Sequence, residues 1–531
     1  MQINYRFIFL LLIATINIFW GISNIPLLDP DEPAYAQTAK EMFLAADYLS
    51  PRIFGDFWFD KPPMYYWLVI ASYKIFGISE FAARFPASLF ALSTILFLYF
   101  KVRKHFNENI AFNSAIILST CINFFYLAKA SVTDMVLLFF LTATLLSYFE
   151  RKYAIMFIFA SLATLTKGPV GFIFPGIIIF IHACLIRNFS LFKARNFYLG
   201  FFFYCLFTLP WYFLMYKTHG QIFIDTFLGL HNIARFTNAE HTNRVLWYFY
   251  FPVLIIGLFP WINFFISSIY NAYNNKNYQD KFFLLFLQIW WIFIFVFFSI
   301  AKTKLVSYIF PLFPPLSIIL AWNFEYLNNR YGYNKNYSLI FSTLFFYGLF
   351  IAVWIVGPNY LPELTLGANY IVGATSVTLL LVIYSLLKNN FQAILFTQTF
   401  LGLIIMFTVM QTLLPAMTNF LSVKSTANFY ATQFNNKNIP VYVDKFLRPG
   451  FAFYTNIYGQ EVTDTKNINF NTDAKNSIML SNLIKSNDKS YNLVIRRLMY
   501  NRLTSVEKNK LEIILDNQDI LILKNKVISR Q

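Results

Sequence analysis

The sequence predicts a polytopic α-helical membrane protein with a small soluble α/β domain at its C-terminal end. Three observations support that fold class. Of 531 residues, 58% are hydrophobic and 13% charged, with a mean hydropathy of +0.52, whereas globular chains carry about 25% charged residues. Apolar runs of roughly 17–25 residues, the length that crosses a hydrocarbon core, recur as far as residue ~415. Beyond that point Asn, Asp and Lys rise and the apolar runs shorten.

About thirteen such runs lie near 5–23, 82–101, 109–127, 134–149, 153–167, 168–186, 197–216, 246–270, 282–300, 305–322, 338–356, 369–387 and 393–415. The first lacks a small-x-small cleavage site and reads as a retained span rather than a signal peptide. Basic clusters at Lys101/Arg103/Lys104, Arg151/Lys152 and Arg187/Lys193/Arg195 all fall on one side when the N-terminus is cytoplasmic, as the positive-inside rule asks. Residues 62–77 are short for a span, start with two prolines and carry Tyr, Trp and Lys, so an interfacial helix is expected there. The membrane domain is taken as 1–416, with long outer loops at 24–81 and 217–245. Residues 417–531 form the soluble domain, with strands expected at Val441–Val443, Tyr491–Ile495 and Ile520–Leu523 and a helix within Asn476–Lys485.

The net charge of +17 suggests an anionic partner. The Lys and Arg residues stand mostly at the ends of apolar runs, which sets nucleic acid aside and leaves membrane lipids or a phosphorylated lipid. Cys121, Cys184 and Cys205 lie inside apolar runs, so neither a disulfide framework nor a thiolate metal site is indicated. No P-loop, dinucleotide fingerprint, HExxH or GxSxG motif occurs, which disfavours an ATP-driven pump and a serine hydrolase.

The outer face instead offers carboxylates and cations. Asp29, Asp31 and Glu32 cluster where the first run ends, and ionisable groups at a membrane face are functional candidates. Asp134 starts the fourth run and reads either as a helix N-cap or as a second site carboxylate. Lys302 and Lys304 run against the positive-inside trend, and Tyr308 stands one turn further on. Cations of this kind hold phosphate through charge-assisted hydrogen bonds. A carboxylate nearby can orient a nucleophile or stabilise positive charge at a sugar C1. A lipid-linked sugar phosphate suits a site outside the membrane, where nucleotide sugars are absent.

Several stretches resemble a known family. Asp31-Glu32-Pro33-Ala34-Tyr35, Lys40-Glu41-Met42, Pro51-Arg52 and Asp60-Lys61-Pro62-Pro63 resemble the first periplasmic loop of bacterial lipid A aminoarabinose transferases. That family is part of the polyprenyl-phosphate-dependent membrane glycosyltransferases that include the protein O-mannosyltransferases. The resemblance continues through the Asp134 turn, Arg235-Phe236, Asn238-Ala239-Glu240-His241 and Lys304-Leu305-Val306-Ser307-Tyr308-Ile309. It implies a GT-C fold with a periplasmic C-terminal domain, and transfer of an amino sugar such as 4-amino-4-deoxy-arabinose from undecaprenyl phosphate to lipid A phosphate. By the same resemblance Asp31 is the principal catalytic carboxylate and Asp134 the second. Lys61, Arg235 and Tyr308 grip the donor phosphate, and Glu32, Tyr35 and Lys304 support them. Asp60 with His231 or His241 would hold a divalent metal ion. The chain departs from the family in having Ala34 where it has arginine, and Asp60 where it has glutamate.

The expectation is therefore a monomeric inner-membrane glycosyltransferase. The alternatives are a superfamily member that glycosylates protein Ser/Thr or another glycan, and a lipid or sugar transporter.

Overall fold

The computed structural model describes residues 5–234, 246–275, 277–329, 337–434, 439–464, 478–485 and 490–526. Each apolar run carries helix, because a backbone in lipid must satisfy its own polar groups. Seven described helices are long and apolar enough to cross a membrane, or nine if each of two bent pairs is one span. Tyr5–Phe19, Asp134–Phe149, Tyr153–Lys167 and Val170–Leu185 are apolar but have only 15 or 16 residues. At 1.5 Å per residue they reach about 24 Å, short of a hydrocarbon core of about 30 Å. The lengths thus separate runs that composition had made equivalent.

The runs near 109–127 and 246–270, expected to be continuous, are broken. Glu108–Ser119 and Ile122–Ala128 meet at 68°, and Tyr250–Leu258 and Trp261–Tyr273 at 108°. Pro260 at the second break lacks an N–H and cannot continue a helical ladder. Distant side chains take up the polar groups there. Gln398 Nε2 donates to Pro260 O at 3.1 Å and lies 3.0 Å from both Asn263 Oδ1 and Tyr347 Oη. Trp261 Nε1 donates to Thr120 Oγ1 at 3.0 Å, which links the two breaks.

Two compact units organise the chain. One comprises residues 1–22, 84–218 and 234–413, and the other 23–83, 219–233 and 414–531. The sequence expectation had assigned the outer loops 24–81 and 217–245 to a 1–416 membrane domain. In the structure 23–83 and 219–233 fall in one compact unit with residues 414–531.

Within the first unit, the basic clusters at 101–104 and 151–152 converge on Glu150. Its Oε2 lies 2.6 Å from Lys101 Nζ and 3.1 Å from Lys152 Nζ, and its Oε1 lies 3.5 Å from Lys104 Nζ. Burial alone would raise this carboxyl; hydrogen bonds from Lys101 and Lys152 and their charges override it and hold the group at about 2. A depressed carboxyl stabilises the fold above its ordinary value, and that contribution is lost as pH falls through 4.5 towards about 2. In detergent, Glu150→Gln should therefore lower Tm at neutral pH, with the gap to wild type narrowing towards about pH 3. A gap that stays constant with pH would contradict this.

The second unit holds two sheets. Strands β1 (Arg52–Ile53) and β2 (Asp56–Phe57) form a small hairpin, whose turn places Phe54 and Gly55 at φ +56° and +86°. Buried Glu41 accepts the N–H of Phe54 at 2.8 Å and of Gly55 at 2.9 Å, fixing that turn. The larger sheet contains β3 (Val441–Asp444), β4 (Gln460–Thr463), β5 (Ile478–Met479), β6 (Asn492–Arg496), β7 (Leu511–Asn517) and β8 (Ile520–Asn525). Its order is β5-β4-β3-β6-β8-β7, parallel from β5 to β6 and antiparallel beyond. Both faces are covered: Leu493, Ile495, Leu521 and Leu523 serve one core, and Val494, Ile520 and Ile522 the other. Buried runs of this kind suit a doubly covered sheet. The expected strands correspond to β3, β6 and β8, and the expected helix to the shorter Leu480–Lys485.

Candidate active site

The acidic cluster opens a helix. Asp31–Leu44 starts after Pro30 and carries Asp31 and Glu32 in its first turn, where negative charge faces the helix dipole favourably. Asp31 is exposed. Glu32 is buried, and its Oε2 accepts the Leu28 N–H at 3.2 Å, so this carboxylate shapes the approach to the helix. Tyr35 packs edge-on against Tyr65, with ring centroids 5.7 Å apart, and lies 6.1 Å from Tyr66. Those two tyrosines belong to Met64–Phe76, the helix expected at 62–77; at 13 residues it is not among the candidate spans. Tyr73 Oη of the same helix donates to Ala36 O at 3.1 Å and joins the pair.

Lys61 immediately precedes Met64–Phe76 by two prolines. It is buried, and its Nζ donates to Asp60 Oδ1 at 2.8 Å. Burial first, and the Asp60 charge second, hold the Tyr66 phenol well above its ordinary range. Asp60, Lys61 and Tyr66 thus form one polar patch under the Asp31 helix. Among the described residues no group of three His, Cys, Asp or Glu could hold a metal ion. Of the expected metal set, Asp60 is the one member whose side chain is described. Arg235 and His241 lie outside the described residues, as does the side chain of His231.

In the first unit, Asp134 is the first residue of Asp134–Phe149, and Thr133 occupies the cap position without a side-chain cap bond. The N-cap reading of Asp134 is therefore replaced by an ion pair, with Lys167 Nζ donating to Asp134 Oδ1 at 2.8 Å. Lys167 Nζ also lies 5.5 Å from the centre of the Tyr308 ring, a distance at which a cation interacts with an aromatic face. Tyr308 in turn rests against Phe298, with centroids 5.1 Å apart. Two sequence-predicted residues, Asp134 and Tyr308, are thus joined by a lysine not singled out from sequence. Its only signal there was a cation in a Lys-Gly-Pro turn.

Lys304 has a different job. Its Nζ donates to Phe298 O, Ser299 O and Ala301 O at 3.1, 2.7 and 2.9 Å. A lysine ammonium has three donors, and all three close the C-terminal end of Tyr278–Ile300. His219 lies between Phe57 and Phe59, and its Nε2 is 2.8 Å from Ser50 Oγ.

The chain is similar to several known proteins. The family described as dolichyl-phosphate-mannose-protein mannosyltransferase matches residues 60–213. An uncharacterised protein of Aquifex aeolicus is 32% identical over 60% of this chain and 73% of its own length. The undecaprenyl phosphate-α-4-amino-4-deoxy-L-arabinose arabinosyl transferase of Wigglesworthia glossinidia brevipalpis is 32% identical over 57% of this chain. Over that stretch the chain is similar to the aminoarabinose transferases. The match spans 55% of the Wigglesworthia transferase. The crystal structure of ArnT from Cupriavidus metallidurans bound to undecaprenyl phosphate has a TM-score of 0.78 and 19% identity, covering 99% of this chain and 98% of the other. At that identity the likeness shows a shared fold, and it extends over the C-terminal sheet as well as the helices.

Proposed function

We propose that the protein transfers an amino sugar, 4-amino-4-deoxy-arabinose or a close relative, from undecaprenyl phosphate to a lipid A phosphate at the periplasmic face of the inner membrane. Kinship with the aminoarabinose transferases is the observation that carries this reading. The C1–O bond to the donor phosphate breaks, a new C1–O bond forms to an acceptor phosphate oxygen, and undecaprenyl phosphate leaves as an anion. The acceptor oxygen is already ionised, so the attacking group needs no base. Asp31 acts as the principal carboxylate, stabilising the positive charge that grows at C1. Lys61, with Arg235, holds donor phosphate oxygens. Asp134, Lys167 and Tyr308 act as a second polar set, in which the lysine can exchange its carboxylate partner for phosphate.

The mannosyltransferase family match keeps protein hydroxyls as the second acceptor class. The two broken helices are a feature of transporters, but here Gln398 and Thr120 close the breaks from within. A side chain at Gly257 would come within 2.9 Å of Phe313, so the second break is tightly packed. Mass spectrometry of lipid A from cells with and without the gene tests the acceptor. The expected result is loss of a pentosamine-sized mass in the deletion strain; an unchanged lipid A would refute the assignment.

A further inference from the structure

Leu27 and Asp29, just before the Asp31 helix, are tied to the C-terminal α/β domain. The Leu27 N–H donates to Tyr454 Oη at 2.9 Å. The Asp29 N–H donates to Leu421 O at 2.8 Å. Asp29 Oδ2 accepts the Val423 N–H at 2.8 Å. Its Oδ1 is buried against Gly450, where an added Cβ would come within 2.4 Å of it. A fourth tie lies further along the helix, where buried Lys40 donates to Phe453 O at 2.8 Å.

Val423 directly precedes the helix Lys424–Gln433, and Gly450 lies in the first turn of Arg448–Thr455. The Asp29 carboxyl therefore sits at two helix starts, where backbone N–H groups point outward. The second of these helices follows β3, beyond whose carboxyl end an open α/β sheet ordinarily offers its ligand crevice. Strand β3 has β4 and β5 on one side and β6 on the other, which makes it a switch point of that kind. In this chain the position is taken by its own segment 27–29.

We propose that Asp29 is a positioning residue for the transfer reaction: by mooring segment 27–29 to the C-terminal domain, it fixes where Asp31 stands. This rests on the catalytic role proposed for Asp31. One residue, Pro30, separates Asp29 from Asp31, so Asp31 stays within about 7 Å of the moored backbone. A misplacement of about 1 Å at a reacting group can cost about 100-fold in rate. Burial holds the Asp29 carboxyl well above its ordinary range, although N–H groups of Val423 and Gly450 act against the rise. An amide of the same shape should therefore serve in its place.

The test compares Asp29→Ala, Asp29→Asn, Gly450→Ala and Asp31→Asn as full-length proteins in detergent. Undecaprenyl phosphate-α-4-amino-4-deoxy-L-arabinose is the donor, lipid A the acceptor, and the amount of folded protein is matched by size-exclusion chromatography. Asp29→Ala and Gly450→Ala should lower kcat by about 10- to 100-fold with the donor KM unchanged. Asp29→Asn should recover most of kcat because its side-chain oxygen can still accept the Val423 N–H. A general loss of fold would lower the active fraction without that rescue. Full kcat in Asp29→Ala would overturn the inference, as would an Asp29→Asn protein as inactive as Asp31→Asn. If Asp29→Ala does not fold, the Asn and Gly450 variants decide by the same criteria. An active Asp31→Asn protein would remove the catalytic role on which the inference rests. An inactive Asp31→Asn beside a fully active Asp29→Ala would overturn the mooring role alone.

Discussion

Asp31→Asn is expected to lower sugar transfer by about 1,000-fold or more while the protein remains folded and membrane-inserted. The substitution keeps the shape of the side chain and removes its charge. Asp31 is exposed at the start of its helix, so the change leaves the packing of that helix on Met64–Phe76 intact. Glu32 offers no replacement, because it is buried and turned towards the Leu28 N–H. The measurement is single-turnover transfer with donor in excess, alongside a thermal melt in detergent. Transfer at the wild-type rate would remove Asp31 from the mechanism.

The second large effect concerns the pair in the membrane unit. Lys167→Met should lower transfer by about 100-fold or more, and it also leaves the Asp134 carboxylate without its ion-pair partner. Breaking a largely buried pair from one side costs about 3–5 kcal/mol, so part of the loss is in stability. Lys167→Arg separates the two contributions. A guanidinium keeps the ion pair and can bind phosphate bidentately, so the Arg variant should regain stability and a measurable fraction of transfer. If Lys167→Met loses stability but its folded fraction transfers at the wild-type rate, the pair is purely structural.

The helical architecture was legible because apolarity and run length are bulk properties that survive without tertiary information. Asp134–Phe149 and Tyr153–Lys167 have the limits expected from sequence. The breaks near 120 and 260 were not legible, since what closes them comes from remote parts of the chain: Gln398 is 138 residues from Pro260. Strands β3, β6 and β8 are short apolar runs and stood out. Strand β4 did not, because in Gln460–Thr463 only Val462 is buried. The limits of the helix Asp31–Leu44 were not legible. Its buried face includes Gln37, Thr38, Lys40 and Glu41, which read as loop until their partners are known.

For the site, residue types were legible and pairings were not. Asp134 and Tyr308 stood out as a carboxylate and a hydroxyl on the expected outer face, but Lys167, which connects them, lies 33 residues from Asp134. Lys304 shows the same limit. A lysine at a span end suits a phosphate and a row of helix carbonyls equally well, and its three carbonyl contacts were not legible in the sequence. Asp29 and Asp31 are both aspartates of one short cluster, yet one has its Oδ1 buried against Gly450 and the other is exposed.

Reconstituted transfer tests the central claim most directly. The purified protein is mixed with undecaprenyl phosphate-α-4-amino-4-deoxy-L-arabinose and lipid A, and both lipids are followed by mass spectrometry. The expected result is lipid A heavier by one aminoarabinose residue together with an equal amount of free undecaprenyl phosphate, and neither product with Asp31→Asn. Donor consumed with lipid A unchanged, or no donor consumed by the folded wild-type protein, would contradict it.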